Sequence, residues 1–213
     1  MSVMIFGASG RLGRALWASR PHELEVTALT RAELDVTDIR AMEAVIALAR
    51  PDVVINAAAW TDVAGAQTNE AAARAVNAQA PGAMGRLFAR QGIRVVHFST
   101  DYVFSGEGAD PWHEACLPQP RPAGVYGVTK REGERLLEES GVSGTIVRAG
   151  WLHSGERDFV SAVLCAAAEG RPLSVTGFQI GTPTSTEALA RWTCDALPLL
   201  TLSRRLTTVH YVE

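Results

Sequence analysis

The sequence predicts an α/β protein built on a doubly wound parallel sheet. Three observations carry that prediction. Short apolar runs alternate along the whole chain with segments whose apolar residues recur at helical spacing. Within the runs apolar residues follow one another without polar alternation, as strands covered on both faces require. The first run ends at Gly7, and two more glycines follow as GxxGxxG, Gly10 and Gly13, ahead of a helical pattern. Together these describe a Rossmann sheet, in which ligands sit beyond the carboxyl ends of the strands.

The elements follow in order. SVMIF (2–6) is a short apolar run stopped by Gly7 and reads as the first strand; GRLGRALWAS (10–19) is the first helix. LEVTAL (24–29) is the second strand. DIRAMEAVIALAR (38–50) is an amphipathic helix stopped by Pro51. DVVINAAA (52–59) is the third strand. Residues 71–77 and 81–90 are helical, with Pro81 suited to a first helical turn. IRVVHFS (93–99) is the fourth strand. Residues 101–124 hold four prolines (Pro111, Pro118, Pro120 and Pro122) and several glycines, and read as an irregular excursion. Residues 126–139 form a helix, GTIVRAG (144–150) a fifth strand, and DFVSAVLCAAAEG (158–170) another helix. PLSV (172–175) and LTTVHYV (206–212) read as late strands, with STEALARWTCDAL (185–197) a helix between them. No repeat recurs at a period of about 20 to 50 residues.

Composition narrows the function. The chain has 213 residues, enough for one domain with a large core. Its net charge is −3 with no run of like charges, which argues against a nucleic-acid surface or a polybasic membrane patch. Cys116, Cys165 and Cys194 are scattered and odd in number, so neither zinc nor a disulfide framework is expected. The start, MSVMIFGASG, does not read as a signal peptide, and no stretch of about 18 apolar residues exists. The expectation is a cytoplasmic protein.

In a Rossmann sheet the residues just after each strand are the informative ones. The first loop runs from Gly7 to Gly13, with Ser9, Arg11 and Leu12 between the glycines. Glycines let the turn bend and let backbone approach a pyrophosphate, whose charge the helix N-terminus stabilises. After the second strand stands Arg31, with no carboxylate beside it for a ribose 2′-OH. Arg31 suits a 2′-phosphate and predicts NADP(H), with NAD(H) as the alternative. After the third strand, Ala57, Ala58 and Ala59 suit either close approach of a flat cofactor or tight helix–sheet packing. After the fourth strand, Ser99 or Thr100 places a hydroxyl in the site.

The basic residues number 19 arginines and one lysine, Lys130, four residues after Tyr126. That spacing puts both side chains on one helix face. Ketone reduction needs a proton for the developing alkoxide, and a phenol can give it. A nearby ammonium lowers the phenol's pKa and can hydrogen-bond a cofactor ribose. The Thr100 hydroxyl can donate to the substrate oxygen.

The order GxxGxxG, NAAA, Thr100 and YxxxK resembles the extended short-chain dehydrogenase/reductases. The segments 31–38, 51–63, 76–81, 95–106, 125–134, 148–151 and 181–190 resemble one branch, the dTDP-4-dehydrorhamnose reductases, over nearly the whole chain. The resemblance implies a Rossmann fold and reduction of the C4 ketone of a dTDP-linked deoxyhexulose by NADPH or NADH. By position, Thr100, Tyr126 and Lys130 match its catalytic trio, and Gly7, Gly10 and Gly13 its pyrophosphate loop. Asp35 and Val36 match its adenine contact, and Ala57, Ala58 and Ala59 line the cofactor. Thr100, Asp101, Tyr102 and Trp151 match positions near the sugar. The chain departs from the pattern at Ala64, Gln67, Gly150 and Phe178. Members of that branch usually continue for several dozen residues beyond the position matching TVHYV (208–212). The expected organisation is therefore an NADP(H)-binding Rossmann domain with the catalytic residues (1–150) and an abbreviated substrate-side region (151–213). A homodimer or a completing partner stays open. So does a non-catalytic NADP-binding regulatory subunit, resembling the β subunit of methionine adenosyltransferase. No metal site is expected.

Overall fold

The strands are β1 (Ser2–Phe6), β2 (Glu25–Leu29), β3 (Val53–Asn56), β4 (Arg94–Thr100), β5 (Gly144–Ala149), β6 (Leu152–His153), β7 (Thr184–Ser185) and β8 (Leu206–Tyr211). In this computed structural model, which describes residues 1–107, 120–156, 158–175 and 180–213, six of them form one parallel sheet in the order β2-β1-β3-β4-β5-β8. Pro111, Pro118, Cys116 and Phe178 lie outside the described residues. The order reverses between β1 and β3, and a crevice for ligands opens at the carboxyl ends of these two strands.

The helices are α1 (Arg11–Ser19), α2 (Ile39–Ala49), α3 (Val63–Thr68), α4 (Glu70–Arg74), α5 (Ala80–Gln91), α6 (Val125–Ser140), α7 (Phe159–Ala168) and α8 (Thr186–Leu200). Strand side chains point alternately to opposite faces, so each apolar strand feeds two cores. Met4, Phe6, Val54, Val95 and Ile146 pack with Met42, Met84, Phe88 and Leu137 of α2, α5 and α6. Val3, Ile5, Ile55, Val96 and Val147 pack with Leu12, Leu16, Leu189 and Leu197 of α1 and α8. The continuous apolar runs are the signature of this double covering.

Three local expectations are corrected. Residues 172–175 form no strand; Leu173 and Val175 are exposed, so no packed face holds them in a sheet. The helices expected at 71–77 and 81–90 are one run from α4 through a π-helical turn, Ala75–Gln79, into α5. Pro81 lacks the N–H that would bond the Asn77 carbonyl, and the ladder widens just before it. The short α3 was not expected; Asp62 caps it by accepting from the Gly65 N–H at 2.8 Å. β6 and β7 pair as a separate two-stranded ladder beyond the end of β5. β8 returns to the main sheet beside β5, while α8 packs on α1.

Candidate active site

The glycine loop is closed to side chains. Gly7 lies in the left-handed region (φ 79°), and a Cβ there would come within 2.7 Å of the Ala58 nitrogen. A Cβ on Gly13 would meet the Gly7 carbonyl and lie 2.8 Å from the Ala8 Cα. The loop is held by Ala8 N–H to Leu29 O (2.9 Å) and Gly10 N–H to Gly7 O (3.0 Å). Arg14 donates to the Ser9 carbonyl at 3.0 Å. Arg11 lies near Asp158, whose carboxyl is pushed up by burial but held well below its ordinary range by Ser154 and Ser161, with Arg11 adding to the lowering. Leu12 and Val36 are buried in the two cores, so only their backbone is available to a ligand.

At the end of β2 the Arg31 side chain is 82% exposed and pairs with Asp35 at 3.3 Å. Asp35 also accepts from the Thr37 hydroxyl and N–H at 2.7 and 3.0 Å, and these bonds lower its pKa. At the end of β3, Ala57 N–H bonds Phe6 O at 3.0 Å and Ala58 N–H bonds Asn56 Oδ1 at 3.1 Å. Ala57 and Ala58 thus pack their main chain directly against Gly7.

α6 carries Tyr126 and Lys130. It sits close to its neighbours because two positions on it are bare. A Cβ on Gly127 would meet the Tyr102 carbonyl, and one on Gly133 the Asn77 carbonyl. Asn77 ties this region together: its side chain brackets Trp60 (N–H at 2.9 Å, C=O at 3.1 Å) and donates to the Thr129 hydroxyl at 3.3 Å. Thr129 in turn donates to the Tyr126 carbonyl at 2.9 Å.

Thr100 and Tyr126 meet at the carboxyl end of β4. Burial dominates at the Tyr126 phenol and pushes it up to about 12; the nearby Thr100 hydroxyl opposes the rise, and the charge of Asp101 adds to it. The expected lowering by the Lys130 ammonium is not found. Lys130 is 2% exposed, and its Nζ donates to the Phe98 carbonyl at 2.6 Å. Burial lowers Lys130 to about 8, against an opposing pull from Glu134. Thr100 donates its own proton to Asp101 Oδ1 at 3.0 Å and accepts from the Tyr102 N–H at 3.2 Å.

Beneath these groups lies a buried polar layer that the sequence reading did not identify. Glu134, 0% exposed, takes a bidentate grip from Arg148 (Nε 2.9 Å, Nη2 2.7 Å) and a third bond from Arg131 at 3.1 Å. Burial alone would raise Glu134, but Arg148 and then Arg131 outweigh it and hold the carboxyl low. Asn56 Nδ2 lies 3.0 Å from His97 Nδ1, and burial holds His97 well below its usual range. Because Asn56 Oδ1 accepts from Ala58, its amide nitrogen must donate, and His97 is the neutral Nε2–H tautomer. The available signal was polar residues inside apolar strands: Asn56, His97 and Arg148.

Two of the residues expected near the sugar, Tyr102 and Trp151, make aromatic contacts. Tyr102 meets Tyr126 edge-on with ring centres 5.9 Å apart. Trp151 has φ 33°, a strained value for a bulky residue, and meets Phe159 edge-on at 5.5 Å. A larger groove of about 460 Å³ lies at the opposite end of the sheet, lined by Arg50, Asp52, Gly92 and Arg94, far from these groups.

A family model described as the RmlD substrate binding domain matches residues 1–212. A dTDP-4-dehydrorhamnose reductase of Mycobacterium tuberculosis is 40% identical over 193 residues, 88% of this chain and 63% of that one. The chain therefore spans somewhat under two thirds of that relative's length. The crystal structure of a dTDP-4-dehydrorhamnose reductase from Clostridium acetobutylicum superposes with a TM-score of 0.89 at 32% identity, over 100% of this chain and 74% of that one. One from Bacillus anthracis, in complex with NADP, gives 0.88 at 29%, over 100% and 74%.

Proposed function

We propose, because the chain belongs to the RmlD substrate binding domain family, that it is a cytoplasmic NADP(H)-dependent reductase of the 4-ketone of a dTDP-linked deoxyhexulose. Residues 1–150 hold the cofactor and the catalytic groups, and 151–213 face the sugar. The observation that carries this reading is the seat α6 gives Tyr126 and Lys130 at the Thr100 end of β4.

The tight glycine turn fits a dinucleotide. Positions 7 and 13 exclude a Cβ, and the unpaired N–H groups opening α1 favour a pyrophosphate. Gly7, Gly10 and Gly13 with the backbone of Ser9, Arg11 and Leu12 would hold the phosphates, Arg31 a 2′-phosphate, Asp35 and Val36 the adenosine, and Ala57, Ala58 and Ala59 the ring faces. NADP(H) is preferred, with NAD(H) as the alternative. When bound, the nicotinamide supplies the hydride. The rest is done by the chain. A phenol held near 12 stays protonated at neutral pH, yet is far more acidic than the alcohol it must create, so Tyr126 is poised to give the proton. Lys130, pinned by Phe98, sets a cation beneath the site for a ribose hydroxyl. Tyr102 and Trp151 present ring faces to an apolar side of the sugar. Asp101 bounds the same space. A homodimer or a completing partner over the sugar side belongs to this proposal and is read by sedimentation velocity.

NADPH oxidation with dTDP-4-dehydrorhamnose and related dTDP-4-keto sugars tests the reading. Turnover is expected, and Tyr126→Phe should lower it about 100-fold or more while NADPH affinity stays within about threefold. Tight NADPH binding with no oxidation across the panel refutes it.

A further inference from the structure

We propose, resting on the cofactor reading above, that Glu33 is a specificity-determining residue at the 2′ position of the adenosine ribose. Its carboxylate accepts the 2′-hydroxyl of NAD(H) and repels the 2′-phosphate of NADP(H), so the preference that Arg31 gives NADP(H) stays narrow. The sequence puts no carboxylate beside Arg31. The fold brings one to the end of the strand.

β2 ends at Leu29, whose carbonyl anchors the glycine loop through the Ala8 N–H at 2.9 Å. The chain then turns sharply. The Thr30 carbonyl accepts from the N–H groups of Glu33 at 3.1 Å and Leu34 at 2.9 Å. The turn swings the Glu33 side chain back to the strand end. There Oε2 accepts both the N–H and the hydroxyl of Thr30, each at 2.8 Å. The N–H bond is the return half of a capping box, Thr30 to Glu33. It fixes the carboxylate one residue from the anchor of the glycine loop. It also does so about 20 residues past that loop, where dinucleotide folds present a carboxylate to the ribose. Both bonds fall on Oε2, and Oε1 has no partner among the described residues. Oε1 can therefore accept a hydroxyl.

Three charges share this segment. Arg31 pairs with Asp35 at 3.3 Å, and Asp35 also accepts from Thr37. Glu33 is exposed and has no cation partner among the described residues. Its bonds from Thr30 lower its carboxyl, which is ionised at neutral pH. A 2′-hydroxyl thus meets an acceptor. A 2′-phosphate meets the Arg31 guanidinium, but Asp35 competes for that guanidinium and Glu33 adds an unpaired like charge.

The test is Glu33→Gln, titrated with NADPH and NADH by fluorescence without any keto sugar. Glutamine completes the same capping box, so the turn stays and only the charge goes. The wild type should bind both nucleotides. The variant should bind NADPH about threefold more tightly and NADH about threefold more weakly. Raising NaCl from about 50 mM to about 500 mM should shrink the gain for NADPH, as a charge effect requires. Adenosine 2′,5′-bisphosphate and AMP, which lack the nicotinamide half, should move in the same two directions. A ratio of the NADPH and NADH dissociation constants within about twofold of wild type overturns the assignment. So does equal weakening of both nucleotides, the result of a cap that only holds the turn. Wild-type protein that binds neither nucleotide refutes the cofactor reading itself, and the assignment falls with it.

Discussion

Replacing Lys130 by Met measures what it costs to bury an ammonium under this site. The charged group is 2% exposed and its pKa falls from 10.5 to about 8. At about 1.36 kcal/mol for each pH unit, holding the proton costs the folded protein about 3 kcal/mol. Below pH 8 both folded and unfolded chains carry the proton, so the full cost is present. Between pH 8 and 10.5 the unfolded chain holds a proton that the native one has lost, and wild-type stability climbs with pH. Met has similar length and no charge, so its variant lacks this climb. Every other titrating group, Tyr126 included, is common to both proteins and cancels to first order. Urea unfolding followed by circular dichroism should show the wild type gaining about 2–3 kcal/mol on Lys130→Met between pH 7 and pH 10. A difference constant to within about 0.5 kcal/mol, or one that moves the other way, would show that the ammonium is not buried as described.

Glu134→Gln leaves the Arg148 guanidinium without its counter-charge and should destabilise by about 3–5 kcal/mol, seen as a fall in Tm. Adding Arg148→Met should recover a large part of that loss, and a double-mutant cycle reads the coupling. Gly13→Ala forces a Cβ against Ala8 and the Gly7 carbonyl, and should weaken NADPH binding by about tenfold or more in calorimetry. Arg31→Ala should raise the NADPH Kd by about tenfold, the worth of one hydrogen bond to a charged group, and leave NADH unchanged; equal effects on both would remove Arg31 from the 2′-phosphate.

The sheet was legible because strands covered on both faces need no alternation, and few other structures tolerate runs such as VVIN and RVVHF. The loop glycines were legible because their spacing is itself the backbone constraint. The polar layer was not. Arg148 and Glu134 come from different elements, and periodicity within a segment says nothing about which element will face it. His97 on its strand reads as an ordinary interruption until Asn56 is found beside it. The direction of the Tyr126 shift was also hidden. Spacing places the ammonium near the phenol, but burial, a property of the whole fold, decides the sign. The β6–β7 ladder is two residues long on each side, too short for any period to register.

The bare positions on α6 have a mechanical consequence. At Gly127 and Gly133 the helix touches the Tyr102 and Asn77 carbonyls with backbone alone. A side-chain contact can absorb a misfit by changing rotamer, whereas main chain against main chain has no such slack. α6 therefore behaves as a rigid bar bolted at two points, with the phenol at one end. A shift of the Asn77 main chain would be passed on to α6, and with it to Tyr126. Substitutions near Asn77 should therefore register in the placement of Tyr126.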